Sequence, residues 1–179
     1  MKYSIFLLVI IVSSCTTSSL YKEIDRQVEE VNNEDSDIIK WEGDWNPSKK
    51  VFKKLRGKLK HSNHIIYIYT WVYTGMSIYY GKVSECLVHD MSSNKSYNIY
   101  IYKRKIKIQP KGMDFVFEEF LLKNYLKKNI DYLISLQNNN TEWVDHVLDS
   151  YHYILDYKKN KKIEYLVLES ISFENGAPL

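Results

Sequence analysis

Cys86 and His89 are the one thiol–imidazole pair close enough in the chain to read as a nucleophile and its base. Nucleophilic catalysis needs the two side chains within hydrogen-bond reach. Ser77 to Asp90 has the pattern of an extended strand, on which residues three apart point to opposite faces. The pair cannot meet there without a bulge, so Cys86 reads as a small buried apolar residue. His61 and His64 have a spacing that can share a metal ion, but no defined third ligand accompanies them, and a helix C-terminus favours a histidine by its dipole alone. Asp145, His146, Asp149 and His152 form the densest polar cluster. On a helix Asp145, Asp149 and His152 would share a face; on a strand His146 and His152 would share one with Ser150. Gly75-Met76-Ser77-Ile78-Tyr79 begins like a nucleophile elbow but lacks the closing glycine. There is no His-Glu-x-x-His, paired Cys-x-x-Cys or phosphate-cradling glycine loop. The sequence thus predicts no catalytic residue, no metal and no cofactor.

Two surfaces remain as candidates for binding. Tyr67, Tyr69, Trp71 and Tyr73 alternate along one strand and share a face, and Tyr100 and Tyr102 could extend it from the third strand. Such a face could stack on sugar rings or on a partner protein, because Tyr and Trp join apolar area to a polar tip. The competing reading is a helix laid over these rings, or cross-strand pairs that stabilise the sheet. The second surface is a basic helix: Lys49, Lys50, Lys53, Lys54 and Arg56, followed by Lys58 and Lys60, with no acid among them. It suits acidic lipid, lipopolysaccharide or acidic glycan. The competing reading pairs it loosely with the preceding acids, which run from Glu23 to Asp44. The formal charge of +3 is too small to imply a polyanionic partner by itself. Sixteen Tyr beside a single Ala, Ala177, has the look of codon bias, so aromatic richness alone carries little functional weight.

Lys2 and the apolar run Ile5 to Val12 lead into Ser13-Ser14-Cys15. A membrane-spanning helix needs roughly 20 apolar residues, and this run is less than half as long, which fits the core of a signal peptide. Val12, Ser13, Ser14 and Cys15 resemble the lipobox of bacterial lipoproteins: an aliphatic residue, two small residues and cysteine. The resemblance covers only this segment. It implies lipidation of Cys15, removal of residues 1–14 as a signal peptide, and a membrane partner reached through the N-terminal lipid. The implied address is the bacterial cell envelope, with Thr16 favouring the outer membrane in a host that has two. Nucleic acid is then an improbable partner. Cys86 would be the single remaining thiol, so no internal disulfide helps the fold. The function expected is a non-enzymatic binding module with a protein, glycan or lipid partner, an immunity or inhibitor protein being a narrower version. An envelope hydrolase acting on glycan or lipid, and a structural component of an outer-membrane complex, are the alternatives.

The elements that must position these residues follow from periodicity. Residues 15–19 form a tether and 20–179 one domain. Leu20, Ile24, Val28 and Val31 recur at helical spacing and predict a helix to Asn32. Asn46-Pro47 suits the start of a second helix, to about Lys60. Ile65–Tyr73, Ser77–Asp90 and Ser96–Ile108 read as three strands in a meander. Asp114–Gln137 reads as one helix, with Leu122, Tyr125, Leu126, Ile130, Leu133 and Ile134 on its apolar stripe. Thr141–Leu148 suggests a short helix, and Tyr151–Tyr157 with Ile163–Phe173 a closing hairpin. The fold class expected is α+β: a mainly antiparallel sheet of about five strands, with helices packed on one face.

Overall fold

Every residue from Ile65 to Tyr69 is buried, although successive strand side chains point in opposite directions. That strand must therefore be covered on both sides. The computed structural model describes residues 19–35, 38–40, 47–73, 81–82, 85–102, 104–109, 116–137, 150–174 and 177–178. Its helices are α1 (Ser19–Asp35), α2 (Pro47–Leu55), α3 (Val116–Leu126) and α4 (Ile130–Ser135). Its strands are β1 (His64–Tyr73), β2 (Gly81–Lys82), β3 (Glu85–Asp90), β4 (Lys95–Tyr102), β5 (Lys105–Gln109), β6 (Ser150–Lys158), β7 (Glu164–Glu169), β8 (Phe173–Glu174) and β9 (Ala177–Pro178). The main sheet runs β5-β4-β3-β1-β6-β7, with the two-residue β2 also paired to β1. All of these pairings are antiparallel. The fold is α+β with a mainly antiparallel sheet, as expected. The C-terminal hairpin β6–β7 joins the meander through a nine-residue pairing of β6 with β1.

Helices cover both faces of the sheet, where the sequence suggested one. On one face, Ile24, Val28 and Val31 of α1 and Val51, Phe52 and Leu55 of α2 pack on Tyr67, Tyr69, Trp71, Cys86, Ile99, Tyr153 and Leu155. On the other, Leu121 and Leu122 of α3 and Leu133 of α4 pack on Ile66, Ile68, Leu87, Ile154 and Leu168. Along β1 residues of both parities are apolar, and in β6 residues of both parities are buried, which is the pattern of strands covered on two sides. Asn32 ties down the segment after α1: its carboxamide donates to the Ile39 carbonyl at 2.7 Å and accepts from the Ile39 N–H at 2.8 Å.

Two expected elements are divided. The strand expected over 96–108 folds into the β4–β5 hairpin, where Arg104 has a φ of 63°. Turns of this kind favour Gly or Asn, so the charged Arg104 gave no signal. The helix expected over 114–137 breaks between α3 and α4, with Lys128 at a φ of 60°. The Asn129 N–H donates to the Asn124 carbonyl across the break at 3.0 Å. The change of axis leaves two stripe residues outside the core: Leu126 is 43% and Ile134 46% exposed. The short helix expected over 141–148 lies outside the described residues.

Leu133 is the buried residue that holds the one-and-a-half-turn α4 on the sheet. Leu133→Ala should therefore lower the unfolding free energy by about 2–5 kcal/mol. Ile134→Ala, one residue on, should stay within about 0.5 kcal/mol of wild type. Urea unfolding of the two variants decides this, and equal losses would place α4 differently on the sheet.

Candidate functional site

Asp156 is the one acid of β6, flanked by buried Tyr153, Ile154, Leu155 and Tyr157. By register it lies beside Ile66 on β1 and Glu164 on β7, on the α3–α4 face. A buried carboxylate needs partners, and three groups converge on it. His64 Nε2 meets Oδ1 at 2.7 Å. Tyr125 Oη donates to Oδ2 at 3.2 Å, and Lys158 Nζ lies 3.2 Å from the same oxygen. Lys158 also reaches both oxygens of Glu164, at 3.2 and 3.3 Å. Burial pushes the Tyr125 phenol up, and the adjacent Asp156 charge adds to that. For Lys158 burial acts downward, but bonds to Glu164 and Asp156 outweigh it and hold the ammonium above its ordinary value.

These groups floor a pocket of about 540 Å³ whose apolar wall is formed by Ile66, Leu126, Ile130 and Leu166, with Lys128 at its edge. The volume lies within the range of small-molecule sites. The α3–α4 break makes the opening, since it brings Tyr125, Leu126, Lys128 and Ile130 to one rim. Among the described lining residues no Ser, Thr or Cys accompanies the His64–Asp156 pair. The hydroxyl that meets this couple is the Tyr125 phenol, and together these groups can orient a ligand through hydrogen bonds.

The residues singled out in the sequence fall elsewhere. Tyr67, Tyr69 and Trp71 are core, not surface: Trp71 is 7% exposed and the two tyrosines less. Phe52 meets Tyr67 edge-on at 5.3 Å, Tyr67 stacks on Tyr69 at 5.1 Å, and Tyr69 on Tyr153 at 4.8 Å. Tyr73 closes β1, and its side chain lies outside the described residues. Tyr100 and Tyr102 do not extend the row. Register aligns Tyr69 with Cys86 and Cys86 with Ile99, so Tyr100 and Tyr102 face the other side of the sheet. Tyr102 is 66% exposed there. Cys86 and His89 point to opposite faces, as alternation requires; His89 bonds Ser96 Oγ at 3.0 Å. His61 is exposed in the turn after α2, whereas His64 enters β1 and the Asp156 network. Lys49, Lys50, Lys53, Lys54 and Arg56 are all exposed. Cys15, Asp145, His146 and Asp149 lie outside the described residues.

His152 is buried between Thr70 Oγ1, 2.9 Å from Nδ1, and Ser150 Oγ, 3.4 Å from Nε2, with Phe117 edge-on at 4.7 Å. Burial pushes its imidazole down to about 4. Glu118, also buried under α3, is pushed up to about 7 by burial, with the charges of Glu85 and Glu119 adding. Sequence reasoning missed Asp156, Tyr125, Lys158 and Glu164. The available signal was the lone acid of β6, at the same parity as Ile154.

Compared with known proteins, the chain matches no family model, no curated protein and no solved structure.

Two expectations follow. Asp156→Ala strands three donors around a small cavity and should lower stability by about 2–4 kcal/mol in urea unfolding; a loss below about 0.5 kcal/mol would mean the network is not held by this carboxylate. The second concerns pH. Glu118 keeps its proton in the fold up to about 7 but releases it near 4.5 when unfolded, so its contribution is full below pH 4.5 and lost as pH rises. His152 is the reverse: the unfolded chain takes the proton near 6.5 and the fold only near 4, so its contribution is full above pH 6.5 and lost as pH falls. The two slopes oppose each other between those limits. Glu118→Gln removes one of them, so between pH 6.5 and 4.5 the variant should lose about 2 kcal/mol relative to wild type. Parallel curves for variant and wild type would show that Glu118 is ionised in the fold.

Proposed function

We propose that this chain is an exported, lipid-anchored binding protein of the bacterial cell envelope, and that the Asp156 pocket is where it takes its partner. The lipobox-like Val12-Ser13-Ser14-Cys15 after a short apolar run supports the anchor. Acyl chains contribute about 0.8 kcal/mol per buried methylene, so several of them hold firmly. The observation that carries the binding role is the pocket's mixed lining. A buried carboxylate gathers imidazole, phenol and ammonium on one side of a concave apolar wall. Binding sites have this composition: apolar walls for contact area and a few fixed polar groups for orientation. The ligand this favours carries an apolar body with a polar group of its own, as an envelope peptide or glycan fragment does.

The anchor and the pocket are tested separately. Mass spectrometry of the mature N-terminal peptide should find Cys15 acylated, and Cys15→Ser should release the protein from membranes. A bare thiol, or unchanged membrane retention of the variant, would remove the anchor. For the pocket, Leu166→Arg places bulk and charge against the apolar wall. Partners cross-linked and recovered from the envelope by wild type should be lost with this variant, provided circular dichroism shows it folded. Unchanged recovery would move the binding site elsewhere.

A further inference from the structure

Lys53, Arg56 and Lys60, exposed on α2 and the turn after it, have no described acid paired with them. Between Asp44 and Glu85 the chain holds no acid at all. Three acids of α1 are engaged elsewhere: Glu23 and Glu30 with Arg26, and Glu34 with Lys162 in the turn between β6 and β7. Lys58 lies over the Tyr97 ring at 5.5 Å, and Lys54 donates to the Ile106 carbonyl, which sets α2 above β4 and β5. The acidic end of α1 sits above β7 instead, where Tyr165 Oη donates to Asp35 at 3.5 Å. Four strand spacings separate β4 from β7, about 19 Å at the usual interval of about 4.8 Å. The α2 cations thus lie over one half of the face that α1 and α2 share, and the acidic end of α1, with the Lys162 that pairs with it, over the other.

The half under α2 is also the half nearest the N-terminus. Tyr21, in the first turn of α1, packs against Phe52 of α2 at 6.1 Å between ring centroids. Only Thr16, Thr17 and Ser18 separate Cys15 from α1, a chain of at most about 14 Å between Cα atoms. A protein fastened at Cys15 must carry α2 close to the lipid surface.

We propose that the exposed basic side formed by Lys53, Arg56 and Lys60 is a second membrane contact that lies on anionic phospholipid headgroups. It sets the orientation of a domain that the lipid alone would leave free to swivel. The orientation rests on the anchored reading given above, whereas the charge-dependent contact itself does not. Its chemistry is that of polybasic segments beside a membrane anchor, where each Lys or Arg adds to attraction within a Debye length of the surface.

The test uses the full chain, purified from membranes and incorporated into vesicles of phosphatidylcholine alone or mixed with phosphatidylglycerol. A water-soluble amine-acylating reagent then reports the accessibility of each lysine by mass spectrometry. In the anionic vesicles Lys53 and Lys60 should label about tenfold or more slowly than in neutral ones, and high salt should restore them. Lys123 and Lys127, exposed on the opposite face of the sheet, should label equally in both. Equal labelling of Lys53 and Lys60 in the two vesicle types would overturn the proposal. So would protection spread equally to Lys123 and Lys127, or retention by a heparin column with no protection on vesicles. As a second variant, Lys53→Gln with Arg56→Gln and Lys60→Gln should abolish the protection of Lys49 and Lys50; protection that survives would also overturn it. The state of Cys15 is read from the same digests, so a missing acyl group and a missing headgroup contact are separate results.

Discussion

A strand buried on both faces governs this fold. β1 lies at the centre of the sheet, with Ile65, Tyr67 and Tyr69 on one side and Ile66 and Ile68 on the other, all of them buried. Its backbone is satisfied by β3 on one edge and β6 on the other. Two layers of helix are then obligatory, because each face exposes apolar area that only another element can cover. No described cysteine pair reinforces them; Cys86 is buried and forms no disulfide among the described residues. On one side the covering is tied together by aromatic rings running from Tyr21 through Phe52, Tyr67 and Tyr69 to Tyr153. Offset and edge-on ring contacts of this kind add about 0.5–1.5 kcal/mol per pair beyond the area they bury. Tyr67, Tyr69 and Trp71 are committed to the interior, and a surface role for them is incompatible with α1 and α2 sitting where they do.

Much of the architecture was legible because burial leaves a period in the sequence. Leu20, Ile24, Val28 and Val31 marked α1, and Asn46-Pro47 marked the start of α2, since helices bury one stripe and begin with particular caps. β1 and β6 were legible as strands, but their coverage was misread. The alternation of Tyr with Ile looked like a polar-tipped face opposite an apolar one, whereas tyrosine is apolar enough to be buried when its hydroxyl finds a partner. Tyr67 has Ser48 Oγ at 2.8 Å and Tyr69 donates to the Lys40 carbonyl at 3.1 Å. Those partners come from distant segments, which no local pattern announces. The turns at Arg104 and Lys128 were illegible for a related reason. Both residues adopt positive φ without being Gly or Asn, so tertiary packing overrode the local preference.

The candidate site was less legible than the fold. His64 stands out in the sequence only by its spacing from His61, and Asp156 is a single acid within the strand expected over 151–157. Their meeting depends on the register of β1 with β6, which brings together two residues 92 apart in sequence. Tyr125 and Lys158 complete the network from a helix and a strand end, so no single stretch of chain contains the site. The break between α3 and α4 is what leaves it open. A continuous helix would have carried Leu126 and Ile130 along one stripe onto the sheet, and the cavity beside Ile66 and Leu166 would have closed.

The two faces of the sheet divide the work between them. α1 and α2, with the N-terminus and the basic residues, cover one face; the pocket, with His64, Tyr125 and Asp156, opens on the other. A membrane contact through α2 would therefore turn the pocket away from the lipid and toward the aqueous side, where a soluble or wall-bound partner can reach it. The reverse attachment, through α3 and α4, would bury the mouth of the pocket against the headgroups. The rigidity of β1 makes this separation dependable, since the strand fixes both helical layers and neither can move across the sheet without exposing its apolar side. A membrane contact through α2 and a ligand in the pocket would thus lie on opposite sides of a single sheet.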